Sequence, residues 1–185
     1  MSAAGRRLAA MRLTALGIGT ADAPSAADAV RRLLAMQAQD FPGALWSLGY
    51  RVPGSTAASV AAEHESGAFL RSWPVRGTLH FTAAEDLGWM LSLTGARQIR
   101  SSAARHRQLG LEDSDFERAA GIAVAELSGG RARTREELLG AFGRGGVAPD
   151  GQRGPHLLAV LAQRGLIAQS GRERWELLGE RVPAP

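Results

Sequence analysis

The residues best suited to chemistry lie in one short stretch, where Gln37 and Gln39 precede Asp40. The apolar run before them predicts a helix, and Pro42 biases Phe41 away from helical angles, so we expect that helix to end near Gln39 or Asp40. In a continuing helix, residues two apart diverge by about 200° and could not serve one ligand together. A helix that unwinds at this point would direct both amides to the same side.

The spacing alone leaves two interpretations open. Two glutamines at a frayed helix end are usually solvated, and motifs this short match by chance. Asp40 has the same ambiguity, because a carboxylate here either assists the amides or simply ends the helix. Features elsewhere in the sequence are needed to distinguish a solvated helix end from a paired amide site.

Composition favours an ordered protein with an anionic partner. The chain has 185 residues, of which 45% are hydrophobic, enough for one medium domain or two small ones. Its net charge is +4, and all 22 basic residues are arginine. Arginine is a strong ligand of phosphate and guanine, which favours nucleic acid as the partner. A chain rich in arginine and free of lysine is also typical of a GC-rich genome.

Other site classes find little support. The chain has no cysteine, and its four histidines lack the spacing of metal ligands, so we expect neither a metal nor another cofactor. No apolar run approaches the roughly 20 residues of a membrane span, and the N-terminus lacks a long apolar signal region. These features predict a cytoplasmic protein with no membrane partner.

The first half of the chain reads as helices followed by a hairpin. Ser25 and Asp28 form a plausible N-cap for a helix that continues through Ala38. Apolar periodicity and turn residues give the other elements: an entry helix over 7–16, helices over 43–50 and 56–64, and strands over 69–73 and 78–82. Three helices and a two-stranded hairpin are typical of a winged helix.

The pattern recurs in the second half. Thr134 and Glu137 form a capping box, and Pro155 stands at the expected start of another helix. The predicted elements are a connecting helix over 86–93, a basic helix over 98–108, helices over 116–127, 135–142 and 156–164, and strands over 166–169 and 174–178. The predicted fold is therefore mainly α with small β-hairpin wings (α+β), built from tandem winged helix-turn-helix domains over 1–95 and 96–185.

Two stretches carry a family resemblance. The first reads LLAMQAQDFPGALWSLGYR from Leu33, and the second reads RSWPVRGTLHFTAAEDLGWML from Arg71. Both resemble the AlkZ/YcaQ family of bacterial DNA glycosylases, which are built from winged-helix domains, and the resemblance covers roughly residues 8–178. The family's catalytic signature is Gln, an aliphatic or small residue, then Gln or Asp. It falls here on Gln37, Ala38 and Gln39.

The resemblance implies a DNA repair enzyme. It would hydrolyse the N-glycosidic bond of alkylated purine nucleotides or crosslink adducts in double-stranded DNA, with Gln37 and Gln39 catalytic and Asp40 assisting. Because the chain has no lysine to form a Schiff base, we expect a monofunctional activity that leaves an abasic site. We also expect a monomer associated with the nucleoid. Family members are longer, so the family's C-terminal half is expected to be absent.

Candidate DNA contacts lie on the first hairpin, the basic helix and the second half's third helix. They are Arg76, His80, Arg100, Arg105, Arg107, Arg153 and Arg164, with Thr78, His156 and Gln163 as weaker candidates. Each has a structural alternative, such as a turn arginine, a strand residue facing the core or a solvated helix face. Trp46 and Trp73 are interpreted as core or interface aromatics rather than platforms for stacking bases.

Two other classes of protein stay open. A non-catalytic tandem winged-helix DNA-binding protein, such as a regulator, would bind DNA selectively without needing the glutamines. A protein-interaction module would bind little DNA and expose an apolar face. The third helix of the first half, over 56–64, is acidic and would read a DNA groove poorly. The lesion is not identified by the sequence.

Overall fold

A computed structural model describes residues 1–182, and its first half contains four helices and three strands. In chain order these are α1 (Ala3–Ala15), α2 (Ala26–Leu33), β1 (Ala35–Gln37), α3 (Phe41–Gly49), α4 (Ala57–Glu65), β2 (Phe69–Val75) and β3 (Thr78–Ala83). Ser25 caps α2 by accepting a 3.0 Å hydrogen bond from the Asp28 amide, as its position in the sequence predicts. The entry helix α1 has no buried residue.

The second half adds the remaining helices and strands. They are α5 (Ala84–Ser101), α6 (Ala103–Gln108), α7 (Asp113–Leu127), β4 (Arg133–Thr134), α8 (Arg135–Arg144), α9 (Arg153–Gln163), β5 (Ile167–Gln169), β6 (Arg174–Leu177) and α10 (Leu178–Arg181). The predicted capping box is confirmed, because the Thr134 hydroxyl accepts from the Glu137 amide and the Glu137 carboxylate accepts from the Thr134 amide.

Both halves repeat one order of elements. The first runs α2, β1, α3, α4, β2, β3, and the second runs α7, β4, α8, α9, β5, β6. Each half is a winged helix in which a short strand between the first two helices pairs with the last strand of the hairpin. This arrangement confirms the predicted fold class, a mainly helical α+β chain of tandem winged helices.

The two hairpins join into one antiparallel sheet of six strands in the order β1-β3-β2-β5-β6-β4. The joint is the pairing of β2 with β5, where Arg71 lies opposite Gln169. One apolar cluster fills each half, and a third lies at the joint around Leu70, Leu87 and Ala168. The division at residue 95 stays a prediction, and the structure adds that α5 runs through it while the sheet unites both halves.

The helix predicted to run through Ala38 is wrong. It ends at Leu33, because Leu34 adopts a φ of +63°, a value that does not continue a right-handed helix. The chain then extends, and residues 35–37 pair with β3. The glutamines therefore lie on and just after an edge strand rather than at a frayed helix end.

The connecting and basic helices also differ from their predicted bounds. They form a long helix, α5, that continues through Gly95, followed by the short α6. Gly95 lies where α5 touches α9, since a Cβ at this position would be 2.1 Å from the carbonyl oxygen of Gln163. Gly95, which lies between the two predicted helices, is thus a site of close helix packing.

The two tryptophans behave differently. Trp73 on β2 stacks on Trp175 of β6 with ring centroids 5.8 Å apart, which confirms it as an aromatic at the interface of the halves. Trp46 on α3 is 73% exposed and lies beside Tyr50, so its assignment to the core is wrong.

Candidate active site

Extended backbone places the two glutamine amides side by side. Successive side chains of a strand point to opposite faces, so Gln37 and Gln39 share one face while Ala38 points to the other. Ala38 is fully buried and both glutamines are exposed. The Nε2 of Gln37 donates a 2.8 Å hydrogen bond to Oε1 of Gln39. The structure therefore brings the two predicted catalytic residues together, by a different backbone route from the one expected.

The sheet fixes this segment on one side only. Gln37 lies opposite His80 in the pairing of β1 with β3, and the Ala38 amide donates to the carbonyl of Leu79 at 2.7 Å. Since β1 is the last strand at its end of the sheet, no strand within residues 1–182 pairs with its other edge. The glutamines are thus held firmly by the backbone and remain accessible.

A buried arginine supports the segment from behind. The guanidinium of Arg71 donates from Nε to the Ala38 carbonyl at 2.7 Å and from Nη2 to the Gln39 carbonyl at 3.0 Å. Its Nη1 donates to Oε1 of Gln169 at 2.8 Å, and its charge lies 5.5 Å from the centre of the Phe41 ring. Burial lowers the pKa of Arg71, but a guanidinium stays charged in proteins.

The sequence prediction did not include Arg71 among the site residues. The available signal was its position in β2, which reads FLRSWPV and is otherwise nearly all apolar. A charged residue in such a strand is expensive to bury and needs partners. Those partners are backbone carbonyls of the glutamine segment, which cannot be read from the sequence.

Asp40 lies against the start of α3. It is the N-cap residue of that helix, and a Cβ added to Gly43 would lie 2.4 Å from its Oδ2. Glycine at position 43 therefore leaves the space that the carboxylate occupies. Gln37, Gln39 and Asp40 together line a shallow depression of about 370 Å³. The predicted assisting carboxylate thus lies in the same recess as the two amides.

The donors and acceptors of this recess suit a water molecule. A primary amide offers one acceptor oxygen and two N–H donors. The bond between the glutamines uses one N–H of Gln37 and one lone pair of Gln39, which leaves the Gln37 oxygen free to accept and the Gln39 Nε2 free to donate. Asp40 adds a carboxylate acceptor. The three residues can orient a water without a strong base.

A second recess opens on the other side of Gln39, between the two halves of the protein. It has a volume of about 390 Å³. Its lining comes from both halves: Gln39, Phe41, Pro42, Arg71, Trp73 and Leu79 from the first, and Arg135, Pro155, Leu158, Gln169, Arg172, Glu173 and Trp175 from the second. We call this recess the inter-module cleft.

The predicted hairpin contacts have different environments. Arg76 is exposed at the β2–β3 turn with a φ of +54°, next to Gly77 at +68°. His80 is only 4% exposed, and its Nδ1 lies 2.8 Å from the carbonyl oxygen of Thr78. Burial lowers the pKa of His80, which favours its neutral form. Arg76 is therefore accessible to solvent, whereas His80 is buried in the strand beside Gln37, and a role for either in DNA binding stays a prediction.

The basic-helix arginines are exposed, but they line neither recess. Arg100 lies on α5, and Arg105 and Arg107 lie on α6. Arg105 donates to the side chains of Gln108 and Gln152. Their role in DNA binding stays a prediction.

The candidates on α9 are largely committed to other contacts. Arg153 donates to the carbonyls of Ala148, Leu109 and Gly110, and Arg164 pairs with Glu117 at 2.8 Å. Gln163 is 7% exposed, because α9 packs against α5, α7 and β2. His156 is half-buried in edge contact with His106. A helix enclosed in this way cannot lie in a DNA groove with Gln163 reading bases.

Within residues 1–182, no three His, Asp or Glu side chains are grouped so that they could hold a metal ion. Over the same range, no helix combines the length and apolar character that crossing a membrane requires.

Comparison with known proteins gives one family and one related structure. The model of the family described as DNA glycosylase AlkZ-like matches residues 30–185. A search of curated proteins finds no match. Among solved structures, the chain is similar to the DNA glycosylase AlkZ of Streptomyces sahachiroi, with 26% sequence identity and a TM-score of 0.76. That alignment covers 100% of this chain and 52% of AlkZ, so the chain spans about half the length of that structure.

The family model includes the glutamine segment, both hairpins and both recesses. The tandem winged-helix architecture agrees with the structural match over the whole chain. The chain therefore belongs to the AlkZ-like family of DNA glycosylases.

Proposed function

We propose that this chain is a monofunctional DNA glycosylase that hydrolyses the N-glycosidic bond of alkylated purines in double-stranded DNA. The observation that carries the proposal is the pair of hydrogen-bonded amides, Gln37 and Gln39, presented on an edge strand beside the Asp40 carboxylate. Family membership supplies the reaction class, and the recess supplies groups suited to it.

The reaction makes modest demands on the protein. The bond between the base nitrogen and the sugar C1′ breaks, and its electron pair stays with the base. A purine alkylated at N7 or N3 carries a positive charge that this electron pair neutralises, so the base leaves without a strong acid. The sugar becomes a cationic oxocarbenium-like species, and a water adds to C1′ and loses a proton. The enzyme chiefly has to position the water and stabilise the cation.

The residues of the recess can take these parts. The free oxygen of Gln37 accepts a hydrogen bond from the attacking water, and the Asp40 carboxylate stabilises the cationic sugar and accepts the released proton. The mutual hydrogen bond keeps the Gln37 amide in one orientation. Arg71 holds the Ala38 and Gln39 carbonyls, which keeps both amides over the recess.

The composition of the chain supports a monofunctional reaction. A glycosylase that also cleaves the strand forms a Schiff base through an amine, and the chain has no lysine. The N-terminal amine is then the one aliphatic amine of the given sequence. We therefore propose an abasic site as the product, with strand cleavage left to another activity at the nucleoid.

The sequence-selective regulator is the weaker alternative. Groove reading needs an accessible third helix with suitable donors. Helix α4 contributes no arginine, and its His64 is buried, while α9 is enclosed by its neighbours. The exposed arginines of the hairpin turn and of α5 and α6 suit contacts to phosphates, which position DNA without reading its sequence.

The proposal is tested with a duplex that contains a single N7-methylguanine. We expect release of the free base and a strand that breaks only after alkali or heat. Borohydride should trap no covalent complex. Failure to release the base would contradict the glycosylase, and a borohydride-trapped complex would contradict the monofunctional reaction. The same assay with a bulky N7 adduct and with an interstrand crosslink then defines the range of lesions.

A further inference from the structure

The inter-module cleft has its own supply of hydrogen-bond donors. Arg71 lines it, and a guanidinium carries five N–H groups. Three of them donate to the carbonyls of Ala38 and Gln39 and to the side chain of Gln169. The other two, one on each terminal nitrogen, have no acceptor among residues 1–182. The buried guanidinium of Arg71 is thus held by three hydrogen bonds at the edge of the cleft and retains two N–H groups unpaired within that range.

The walls of the cleft suit a flat molecule. Phe41, Leu79 and Trp73 contribute apolar surface from the first half of the chain, and Trp73 stacks on the buried Trp175. The volume of about 390 Å³ lies near the small end of ligand pockets, which run to roughly 300–1,000 Å³. The lining combines this aromatic and apolar surface with fixed polar groups, and Arg135, Arg172 and Glu173 add charge to it. A concave site of this size and mixed lining suits a small heterocycle.

Position links the cleft to the proposed reaction. Gln39 lines both the cleft and the depression that holds Gln37 and Asp40. A nucleotide whose C1′ faces the depression could therefore place its base in the cleft. We propose that the inter-module cleft receives the purine base during cleavage, with Arg71 donating hydrogen bonds to the oxygen at position 6 of guanine. This inference rests on the proposed function and adds the place that receives the base and the residue that contacts it.

The charge of Arg71 makes its interaction with the base more favourable as the glycosidic bond breaks. Before cleavage an N7-alkylated guanine is a cation, which Arg71 repels. As the bond between N9 and C1′ breaks, the electron pair passes to the base, its positive charge disappears and its oxygen becomes a better acceptor. The interaction improves along the reaction, which is the condition for lowering the barrier. Arg71 would thus both position the glutamine segment and contact the leaving base.

The test compares two lesions that differ at position 6. N7-methylguanine has an oxygen acceptor there, and N7-methyladenine has an amino group that cannot accept from Arg71. We measure single-turnover release of each base, divided by its spontaneous rate. The parent protein should accelerate release of the guanine lesion more, by roughly tenfold. Arg71→Met should remove most of that preference, whereas a merely structural role would slow both releases equally and overturn the inference.

Arg51 provides a matched control. It is also a buried arginine, 8% exposed, that donates to the carbonyls of Leu16 and Ser47, and it lies outside the cleft. Arg51→Met should lower stability while the ratio of the two rates stays at its parent value. A ratio that collapses in Arg51→Met as well would show that loosened packing explains the effect.

A binding measurement separates this inference from the proposed activity. The chain has four tryptophans, of which Trp73 and Trp175 line the cleft and Trp46 and Trp89 do not. Titrating the free base 7-methylguanine into ¹⁵N-labelled protein should shift the indole signals of the first pair saturably, and Arg71→Met should weaken that shift at least several-fold. Unchanged signals from Trp73 and Trp175 would overturn the cleft assignment even if the protein releases bases. A shift without any base release would leave the cleft standing and contradict the proposed function.

Discussion

Gln37 donates a 2.8 Å hydrogen bond from its Nε2 to Oε1 of Gln39, across an intervening alanine that is fully buried. This bond gives the two amides unequal roles. The oxygen of Gln37 stays free to accept from a water, while the oxygen of Gln39 is occupied. Substitutions at the two positions should therefore differ in what they remove.

Gln39→Glu tests the acceptor role of Gln39. A carboxylate still accepts the hydrogen bond from Gln37 and adds negative charge near the cationic sugar, as Asp would in the Gln-x-Asp signature. We expect the base-release rate to stay within about tenfold of the parent or to exceed it, and to fall as pH drops toward about 4.3. Gln39→Leu, which has no acceptor, should lose about 100-fold. Equal losses in both variants, measured by single-turnover release, would contradict this role.

Gly43→Ala tests Asp40 without changing it. The new Cβ would lie 2.4 Å from Oδ2 of Asp40 and would push the carboxylate out of the recess. We expect base release to fall roughly tenfold, as far as it does in Asp40→Asn, while thermal stability changes little. Gly88→Ala is the control, because a Cβ there meets nothing within 4 Å. If Gly43→Ala keeps parent activity, Asp40 serves only the start of the helix.

The sequence predicts the helix caps, which depend on neighbouring residues, and does not predict the strand pairing, which depends on distant ones. The caps at Ser25 and Thr134 depend on residues three apart, so they could be predicted. The strand that carries Gln37 depends on pairing with β3, more than 40 residues later. It also depends on the positive φ of Leu34, and a leucine gives no sequence signal for that conformation. The helical periodicity before Gln37 therefore predicts the wrong backbone conformation for the glutamine segment.

Nonlocal contacts also explain why the sequence does not predict Arg71 as a site residue. Its position in an apolar strand is visible, but its partners come from the glutamine segment and from Gln169 in the other half of the chain. The pairing of β2 with β5 that brings Gln169 there joins residues about 100 positions apart. Sequence patterns define the two winged helices separately and do not predict the cleft between them.

Stability should fall in mild acid because of His64. The ring is fully buried among Phe41, Phe69 and Phe81, and burial lowers its pKa from 6.5 to about 4. The histidine is neutral in both states at pH 7.5. Between pH 6.5 and 4 the unfolded chain binds the proton and the folded chain does not, so unfolding becomes easier by up to about 3 kcal/mol.

Urea unfolding at pH 7.5 and pH 5 measures this loss of unfolding free energy. The variant His64→Leu shows how much of the loss comes from His64. The variant should be less stable than the parent at both pH values, because the Phe69 carbonyl loses its partner. Its loss between the two values should be smaller than in the parent protein. The other buried histidines have lowered pKa values too, so some pH dependence should remain. An identical loss in both proteins would refute the assignment.

Arg76 is the hairpin residue placed best to contact a phosphate. Arg76→Asn removes the charge and keeps a residue that tolerates the positive φ at this turn. We expect weaker duplex binding and a slope of log K against log salt that is smaller by about 1. Arg174→Asn removes an exposed arginine from the second hairpin and serves as the charge-matched control. An unchanged slope for Arg76→Asn would remove Arg76 from the DNA interface.

The most direct test of the glutamine pair is base release by the double variant Gln37→Ala and Gln39→Ala. The substrate is a duplex with one N7-methylguanine, and duplex affinity and thermal stability are measured on the same samples. Both side chains are exposed, so folding and DNA binding should persist while release falls at least 100-fold. Parent-level release by a folded double variant would show that the glutamines do not form the active site.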